Sequence, residues 1–271
     1  MDSRLQRRIQ RYGWDLAAAD YENSWYAQLH PLRDALLAAP AFNIGARVLD
    51  VACGSGRFSV DVASAVGSAG SVTGIDISEK MVENAHDYAR IHEVDNVRFT
   101  RMDAQKLDFE PNTFDVILCS LGLMYMPDVT AVLQGMRRAL APGGQIVFAV
   151  WGRREACGWA GIFEIIQAEV KSQVCPTFFQ LGRMNAAAEA CSLASLRPVS
   201  VSRLATVLRY ADDAAACDAA TLGGPVALAW SRFDGTTRAR VKAQYLDTLK
   251  PWRSANGYLV PAEFVIVSAI P

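Results

Sequence analysis

The chain has 271 residues and 51% of them are hydrophobic, which is enough to bury the core of one α/β domain and excludes extensive disorder. Lysine and arginine total 27 against 28 aspartates and glutamates, a balance that argues against nucleic-acid binding through a general basic field. We therefore expect one domain over residues 1–271, a small molecule as its partner, and a monomer or homodimer.

The six cysteines are scattered along the chain and form no C-x-x-C pair. The sequence also shows neither a signal-peptide pattern nor an apolar run of membrane-spanning length. We therefore expect reduced thiols, a cytoplasmic location and no membrane span.

The first predicted elements are helical. Residues 3–40 have helical character, with expected breaks at Gly13, Pro31 and Pro40. We interpret residues 1–45 as an N-terminal helical cover over a pocket.

Strand and helix signals then alternate regularly. Strands are predicted at 46–52, 71–76, 97–102, 114–119 and 145–150. The helices between them are predicted at 57–66, 79–91 and 129–140. The last of these helices is expected to stop at the Ala-Pro-Gly-Gly run 141–144, where the chain turns into the next strand. This alternation is typical of a parallel sheet with helices on both faces.

Beyond Trp151 the pattern loosens. The predicted elements are helices near 158–172 and 185–195, a strand near 198–208, helices near 212–248 and a last strand at 258–269. We accordingly divide the domain into a cofactor-binding half, 46–150, and a distal half, 151–271, in which an insertion near 209–257 caps the substrate.

The most informative motif is a strand that ends in an acidic residue and a glycine-rich turn. Asp50 precedes Gly54 and Gly56, and Asp76 closes the next strand, where a carboxylate can accept both hydroxyls of a ribose. A dinucleotide site would have a third glycine where Ser59 stands, and the charge of Asp50 would be unfavourable beside a pyrophosphate. A cationic nucleoside therefore fits better than a nicotinamide dinucleotide.

Five motifs in order resemble the class I S-adenosylmethionine-dependent methyltransferases, in particular their ubiquinone and menaquinone C-methyltransferase-like small-molecule branch. The motifs cover about residues 45–150 and are the glycine turn, Asp76, Asp103-Ala104, the run Phe114–Ile117 and the run Leu140–Gly144. The resemblance implies a Rossmann-like α/β fold: a mostly parallel seven-stranded sheet in the order 3-2-1-4-5-7-6, helices on both faces and a helical cap. It also implies S-adenosyl-L-methionine as the cofactor.

The resemblance assigns roles to residues at four strand ends, where an open α/β sheet binds its ligands. Asp50 orients the amino-acid end of the cofactor, Asp76 binds the ribose, and Asp103 and Ala104 bind the adenine. Backbone groups around Ser120 meet the ammonium group. The complete set of expected cofactor-binding residues is Asp50, Ala52, Gly54, Gly56, Asp76, Ile77, Met81, Asp103, Ala104 and Ser120.

The acceptor site is predicted from residues, mostly aromatic, in two segments: the N-terminal cover and the loop after the fourth strand. The candidates are Tyr21, Trp25, His30 and Tyr125, and they favour a small apolar or aromatic acceptor that receives the methyl group by in-line transfer. No side chain identifies itself as a catalytic base, so the catalytic residues stay unassigned.

Three alternatives stay open at this point. Some related enzymes bind trivalent arsenic through three thiolates, and Cys157, Cys175, Cys191 and Cys217 raise a thiol- or metalloid-directed methyltransferase, although their spacing matches no dense metal site and we expect no metal. The others are an NAD-dependent oxidoreductase and a regulator that binds the cofactor without turnover.

Overall fold

A computed structural model of the chain describes residues 3–40, 42–171 and 175–271. Residues 1, 2 and 41 of the predicted cover and residue 172 of a predicted helix lie outside the described residues. The helices within these ranges are α1 Ser3–Ala17, α2 Tyr21–Trp25, α3 His30–Ala38, α4 Arg57–Val66, α5 Glu79–Ile91, α6 Val129–Ala139, α7 Gly161–Val170, α8 Ala186–Leu193, α9 Asp213–Thr221, α10 Ala227–Trp230 and α11 Gly235–Leu249.

The strands of the described residues form one mixed sheet. They are β1 Arg47–Val51, β2 Ser71–Asp76, β3 Val97–Arg101, β4 Phe114–Ser120, β5 Leu140–Trp151, β6 Arg197–Tyr210, β7 Arg253–Ser254 and β8 Gly257–Ile270. The order across the sheet is β3-β2-β1-β4-β5-β8-β6, and β7 pairs with β8 outside that path. The first five strands are parallel, while β8 runs antiparallel to both β5 and β6.

Local chemistry explains where the helices of the cofactor half begin and which side they bury. The Ser78 hydroxyl accepts a hydrogen bond from the Met81 N–H at the start of α5, and the Asp128 carboxylate accepts one from the Ala131 N–H at the start of α6. Helix α6 then buries an apolar stripe, with Val132, Leu133 and Met136 fully buried.

The register of the parallel strands brings their carboxyl ends to one edge of the sheet. Asp50 on β1 is paired with Gly74 on β2 and with Leu118 on β4. Asp76 lies at the end of β2 beside Arg101, the last residue of β3. The loops that follow β1, β2, β3 and β4 are therefore neighbours, as the crevice rule for open α/β sheets requires.

The predicted fold class and strand order are confirmed, with the last long strand inserted antiparallel between the fifth and the sixth. The predicted number of strands is one too low for the described residues, because β7 was missed. This strand has two residues and pairs Ser254 with Gly257, which is too short for any alternation to show in the sequence.

Two expected breaks in the N-terminal helices are wrong. Helix α1 continues through Gly13, where an added Cβ would lie 3.7 Å from the Leu228 side chain, and ends at Ala17. Pro31 lies in the first turn of α3, where its missing N–H leaves no hydrogen bond unmade. Gly13 therefore marks a packing site within α1, and Pro31 marks the start of α3.

Strand β5 begins earlier than predicted. It starts at Leu140, so the Pro142-Gly143-Gly144 run forms the beginning of the strand rather than a separate turn. The register against β4 shifts between Phe114 and Val116, which accommodates the extra residues as an irregularity of the ladder.

None of the described helices has the length and apolar character needed to cross a bilayer.

Glu263 joins the last three long strands of the sheet. Its side chain on β8 accepts hydrogen bonds from Arg203 Nη1 on β6 at 2.7 Å and from the Arg153 N–H after β5 at 3.0 Å. Its backbone carbonyl accepts a further bond from the Gly152 N–H. Because Glu263 is 8% exposed, these bonds form in a largely dry setting.

We expect Glu263→Ala to lower the free energy of unfolding by about 1 to 3 kcal/mol, because the Arg203 guanidinium and the Arg153 N–H lose their acceptor. Urea unfolding followed by circular dichroism measures the change. Asp247→Ala is the control, since Asp247 pairs with Lys250 on the exposed surface and should change stability by less than about 0.5 kcal/mol. Equal stability losses in the two variants would contradict this assignment.

Candidate active site

A cavity of about 1020 Å³, part of it open to solvent, lies along the carboxyl edge of the sheet. Its lining takes residues from five strand ends, in the spatial order of the strands. These residues include Asp103 after β3, Asp76 at the end of β2, Gly54 after β1, Ser120 at the end of β4 and Trp151 at the end of β5. These strand ends form the edge at which an open α/β sheet binds its ligands.

Asp76 holds two neighbouring loops in place. Its Oδ2 accepts a hydrogen bond from the Gly54 N–H at 3.0 Å, and its Oδ1 accepts one from the Ser78 N–H at 2.9 Å. Burial raises the pKa of this carboxyl to about 6, against the opposing effect of the two N–H donors. Each oxygen keeps acceptor capacity for a ligand, because a carboxylate oxygen can accept more than one hydrogen bond.

Asp50 lies beneath the glycine turn with one oxygen unpaired. Its Oδ2 accepts a 2.6 Å hydrogen bond from the Ser59 hydroxyl, while Oδ1 is buried and has no hydrogen-bond partner among the described residues. Desolvation raises the pKa of this carboxyl to about 7, partly offset by Ser59, and the neighbouring charge of Asp76 raises it further. An orphaned carboxylate oxygen of this kind is matched by a cation or a bound water.

Asp103 is already hydrogen-bonded within the chain. Its Oδ1 accepts from the Gln105 N–H at 3.0 Å and caps a short turn of 3₁₀ helix, and its Oδ2 lies 3.4 Å from Nε of Arg7. Arg7 also donates to Oε1 of Gln105 at 3.3 Å. Helix α1 therefore covers the end of β3 through a side-chain contact with the residue expected to bind the base.

The loops after β1 and β4 approach each other closely in strained backbone conformations. Ala52 and Leu121 both have positive φ angles, 59° and 57°, and both line the cavity. A Cβ added to Gly122 would lie 2.6 Å from the Cβ of Ala52, so only glycine fits there. Non-glycine residues in this backbone region cost energy and are concentrated at ligand-binding sites.

The N-terminal helices are attached to the same loops. Asp15 of α1 accepts a 2.7 Å hydrogen bond from the Ser78 hydroxyl. Glu22 of α2 accepts a hydrogen bond from the Ser55 hydroxyl of the glycine turn and forms an ion pair with Arg57. These contacts hold α1 and α2 against the loops that line the cavity.

The β5 end of the cavity is aromatic. Trp25 of α2 lies 5.7 Å from Trp151 and 5.5 Å from Trp159, measured between ring centroids. Tyr125, after β4, lies 5.2 Å from Trp14 of α1. Burial raises the pKa of Tyr125 well above its usual value, so its hydroxyl stays protonated at neutral pH.

The cavity brings together most of the residues singled out from the sequence. Of the expected cofactor and substrate residues, those in its lining are Ala52, Gly54, Asp76, Ile77, Met81, Asp103, Ala104, Ser120, Tyr21, Trp25 and Tyr125. Three others are placed elsewhere. Asp50 is buried behind the turn, and Gly56 packs against α5, where an added Cβ would lie 2.6 Å from the Ala85 side chain. His30 lies on the exposed surface of α3, 3.0 Å from Asp34.

Sequence reasoning missed several lining residues. Trp159 and the Gly223–Pro225 segment come from regions without a recognisable motif, so no local signal identified them. Ser59 was noted only as a departure from the three-glycine pattern, although its hydroxyl is the partner of Asp50.

The described cysteines do not assemble a thiolate site. Cys157, Cys191 and Cys217 are buried, Cys175 is partly buried, and desolvation raises the pKa of each thiol. Across residues 3–40, 42–171 and 175–271, no group of three or more His, Cys, Asp or Glu side chains is arranged to hold a metal ion.

Comparisons with known proteins support a methyltransferase family for this chain. A family model described as "Methyltransferase domain" matches residues 43–209, more than half of the chain. A demethylmenaquinone methyltransferase from Staphylococcus aureus is 42% identical over 103 residues, which are 38% of this chain and 42% of the relative. The match thus spans less than half the length of that curated relative.

Solved structures share the fold. The YcgJ protein of Bacillus subtilis superposes with a TM-score of 0.63 at 16% identity and covers 89% of this chain and 98% of its own. A SAM-dependent methyltransferase from Aquifex aeolicus gives a TM-score of 0.53 at 15% identity, with coverages of 88% and 89%. The family match and the ordered motifs together show that the chain belongs to the methyltransferase-domain family, in the class I S-adenosylmethionine-dependent group that its sequence resembles.

Proposed function

We propose that the protein transfers the methyl group of S-adenosylmethionine to a small apolar or aromatic acceptor. The observation that carries this proposal is the arrangement of two buried carboxylates, Asp50 and Asp76, around the glycine turn at one end of a cavity whose other end is aromatic. The family match supports a methyltransferase and not the oxidoreductase or thiol-directed alternatives.

The residues present fit this cofactor. Asp50 Oδ1 is a buried acceptor without a partner in the described part of the chain. The α-ammonium group of the cofactor supplies a positively charged donor for it, directly or through water. No atom comes within 4 Å of a Cβ built on Gly54, which leaves open space beside the turn. Asp76 and Asp103 offer acceptor oxygens for the ribose and for the adenine amine.

When bound, the cofactor supplies a methyl group on a positively charged sulfur. Asp50, Asp76 and Asp103 would hold it, and it would supply an electrophilic carbon whose bond to sulfur would break, with the electron pair kept by sulfur, as the acceptor's nucleophile bonds to that carbon. The chain's contribution is to align the two ligands and to exclude water, which together account for about 7 to 11 kcal/mol in well-oriented reactions. The buried ends of β4 and β5 and the helices α1 and α2 provide this enclosure.

The proposed acceptor class follows from the aromatic end of the cavity. Tyr21, Trp25 and Tyr125 line it, and planar or apolar ligands pack favourably on such rings. The curated relative is named for a demethylmenaquinone acceptor, which fits an apolar acceptor in general terms. We also propose that residues 1–45 and the insertion near 209–257 form the cover of one domain, since Gly223 and Gly224 line the cavity beside α2.

We expect Asp76→Ala to weaken the binding of S-adenosylhomocysteine by about 1 to 3 kcal/mol, roughly 5- to 150-fold in Kd, because the ribose and the Gly54 N–H lose a charged acceptor. Isothermal titration calorimetry measures the change. Asp115→Ala is the matched control, since Asp115 pairs with Arg47 near the opposite ends of β1 and β4. An unchanged Kd in Asp76→Ala would remove this residue from the site.

We expect opposite pH trends for stability and cofactor affinity. Both carboxyl groups have folded-state pKa values, about 7 for Asp50 and about 6 for Asp76, above the ordinary value of 3.8. Between pH 3.8 and the folded-state pKa of each group, the folded chain therefore binds more protons than the unfolded chain. These two groups thus increase the free energy of unfolding as the pH falls through that window. Affinity for S-adenosylmethionine falls over the same range, because its ammonium and hydroxyl groups need ionised acceptors.

Denaturant unfolding and calorimetry of the wild type and Asp50→Asn, at about pH 8 and about pH 5, test these trends. Taking the difference between the two proteins isolates Asp50 from all other titrating groups. The stability of the wild type relative to Asp50→Asn should rise toward acid, and the affinity of the wild type should fall more steeply than that of the variant. A pH-independent difference in stability would show that Asp50 titrates as an ordinary carboxyl group.

Turnover itself is tested with trideuteromethyl-labelled S-adenosylmethionine and a metabolite extract. We expect mass spectrometry to detect at least one product heavier by the labelled methyl group, formed more slowly by Asp76→Ala than by Asp115→Ala. Cofactor binding without any labelled product across extracts of broad composition would instead indicate a regulator that binds without turnover.

A further inference from the structure

Helix α1 carries a stripe of apolar side chains that faces solvent. Leu5, Tyr12 and Leu16 are 38%, 49% and 48% exposed, and Ile9 between them is partly buried. The four positions are spaced by four, three and four residues, so they lie on one side of the helix. A different side of α1 packs on the protein, with Ala17 fully buried. The apolar stripe is therefore additional to the face that attaches the helix.

A row of arginines runs beside the apolar stripe. Arg4, Arg8 and Arg11 each come one residue before a member of the stripe and repeat with the same spacing. Arg8 is exposed and forms no ion pair with any residue that the structure describes, whereas Arg11 lies 3.9 Å from Asp15. The aliphatic stems of such arginines can lie along apolar surface while their guanidinium groups reach charged partners.

The arginine row borders a second cavity, of about 690 Å³ and partly open to solvent. The charged side chains in its described lining are those of Arg7, Arg8, Arg11, Arg101 and Asp103. Arg7 lies 3.4 Å from Asp103, and Arg101 lies 3.6 Å from Glu79 outside the lining. Arg4 and Asp15 of α1 complete a basic patch of five arginines and three carboxylates. The patch is thus positively charged, although the whole chain carries a net charge of −1.

An apolar stripe beside a basic patch fits the surface of a lipid bilayer that contains anionic lipids. The apolar side chains enter the boundary between headgroups and acyl chains, and the guanidinium groups bind headgroup phosphates. A second copy of the chain fits less well, because two-fold pairing of this surface would bring its arginines together. A nucleic acid would leave the apolar stripe against a charged backbone.

We propose that helix α1 docks the protein on a bilayer containing anionic lipids, with Leu5, Tyr12 and Leu16 inserted and the basic patch facing the headgroup phosphates. None of these three side chains belongs to the described lining of the main cavity. Docking at this surface does not require methyl transfer and is therefore independent of the proposed function.

Sedimentation of the full chain with sucrose-loaded vesicles tests the proposal. One set of vesicles is phosphatidylcholine alone, and the other is equal parts of phosphatidylcholine and phosphatidylglycerol. The bound fraction over a series of lipid concentrations gives a partition coefficient for each set. The proteins compared are the wild type, the double variant Leu5→Gln/Leu16→Gln, which makes the stripe polar, and Arg8→Gln, which removes one charge from the patch.

Matched controls change equally exposed residues elsewhere on the surface. Ile91→Gln/Leu193→Gln removes two apolar side chains, 68% and 70% exposed, at the ends of α5 and α8. Arg137→Gln removes an exposed arginine from α6. These variants separate loss of the α1 surface from a general loss of apolar area or positive charge.

We expect the wild type to bind the anionic vesicles about 5- to 30-fold more tightly than the neutral ones, since each arginine near such a surface contributes about 5-fold. Leu5→Gln/Leu16→Gln should lower the partition coefficient for anionic vesicles by about 10-fold or more, and Arg8→Gln by about 5-fold. The control variants should stay within about 2-fold of wild type.

Failure of the wild type to bind the anionic vesicles overturns the proposal. An equal loss in the control variants also overturns it, as does a loss confined to Arg8→Gln, which would show adsorption by charge without insertion of the stripe. A wild-type dimer that Leu5→Gln/Leu16→Gln converts to monomers in sedimentation equilibrium would place a second copy on the stripe instead of a bilayer. Calorimetry with S-adenosylhomocysteine reports on the proposed function separately, because this double variant should bind that ligand as tightly as wild type does.

Discussion

The burial of two carboxylates at the ends of adjacent parallel strands is the constraint on which the rest of the cavity depends. Asp76 offsets the desolvation of its charge by accepting hydrogen bonds from two backbone N–H groups. These bonds fix the glycine turn relative to the loop after β2. Asp50 has only the Ser59 hydroxyl as a donor and keeps one unpaired oxygen. The difference means that Asp76 organises the site through donors of the chain itself, whereas Asp50 keeps an oxygen that a ligand or a water can complete.

The same loops contact the N-terminal helices α1 and α2. Asp15 contacts Ser78, which caps α5, and Glu22 contacts Ser55 in the glycine turn. A displacement of α1 or α2 would therefore disturb the backbone that faces the cofactor. The positions of α1 and α2 and of the glycine turn therefore depend on the same hydrogen bonds.

Local sequence patterns predict the cofactor half well because each of its signals lies within one element. The glycine turn, the acid that ends β2 and the apolar stripe of α6 are each recognised from residues close together in sequence. The same holds for the strands predicted between 46 and 150. The aromatic end of the cavity is different. Trp159 and Gly223 line the cavity although they are far in sequence from the other lining residues of the cofactor half. Whether His30 faces the cavity or solvent depends on how α3 packs. Tertiary packing decides these positions, and single-sequence periodicity carries no record of it.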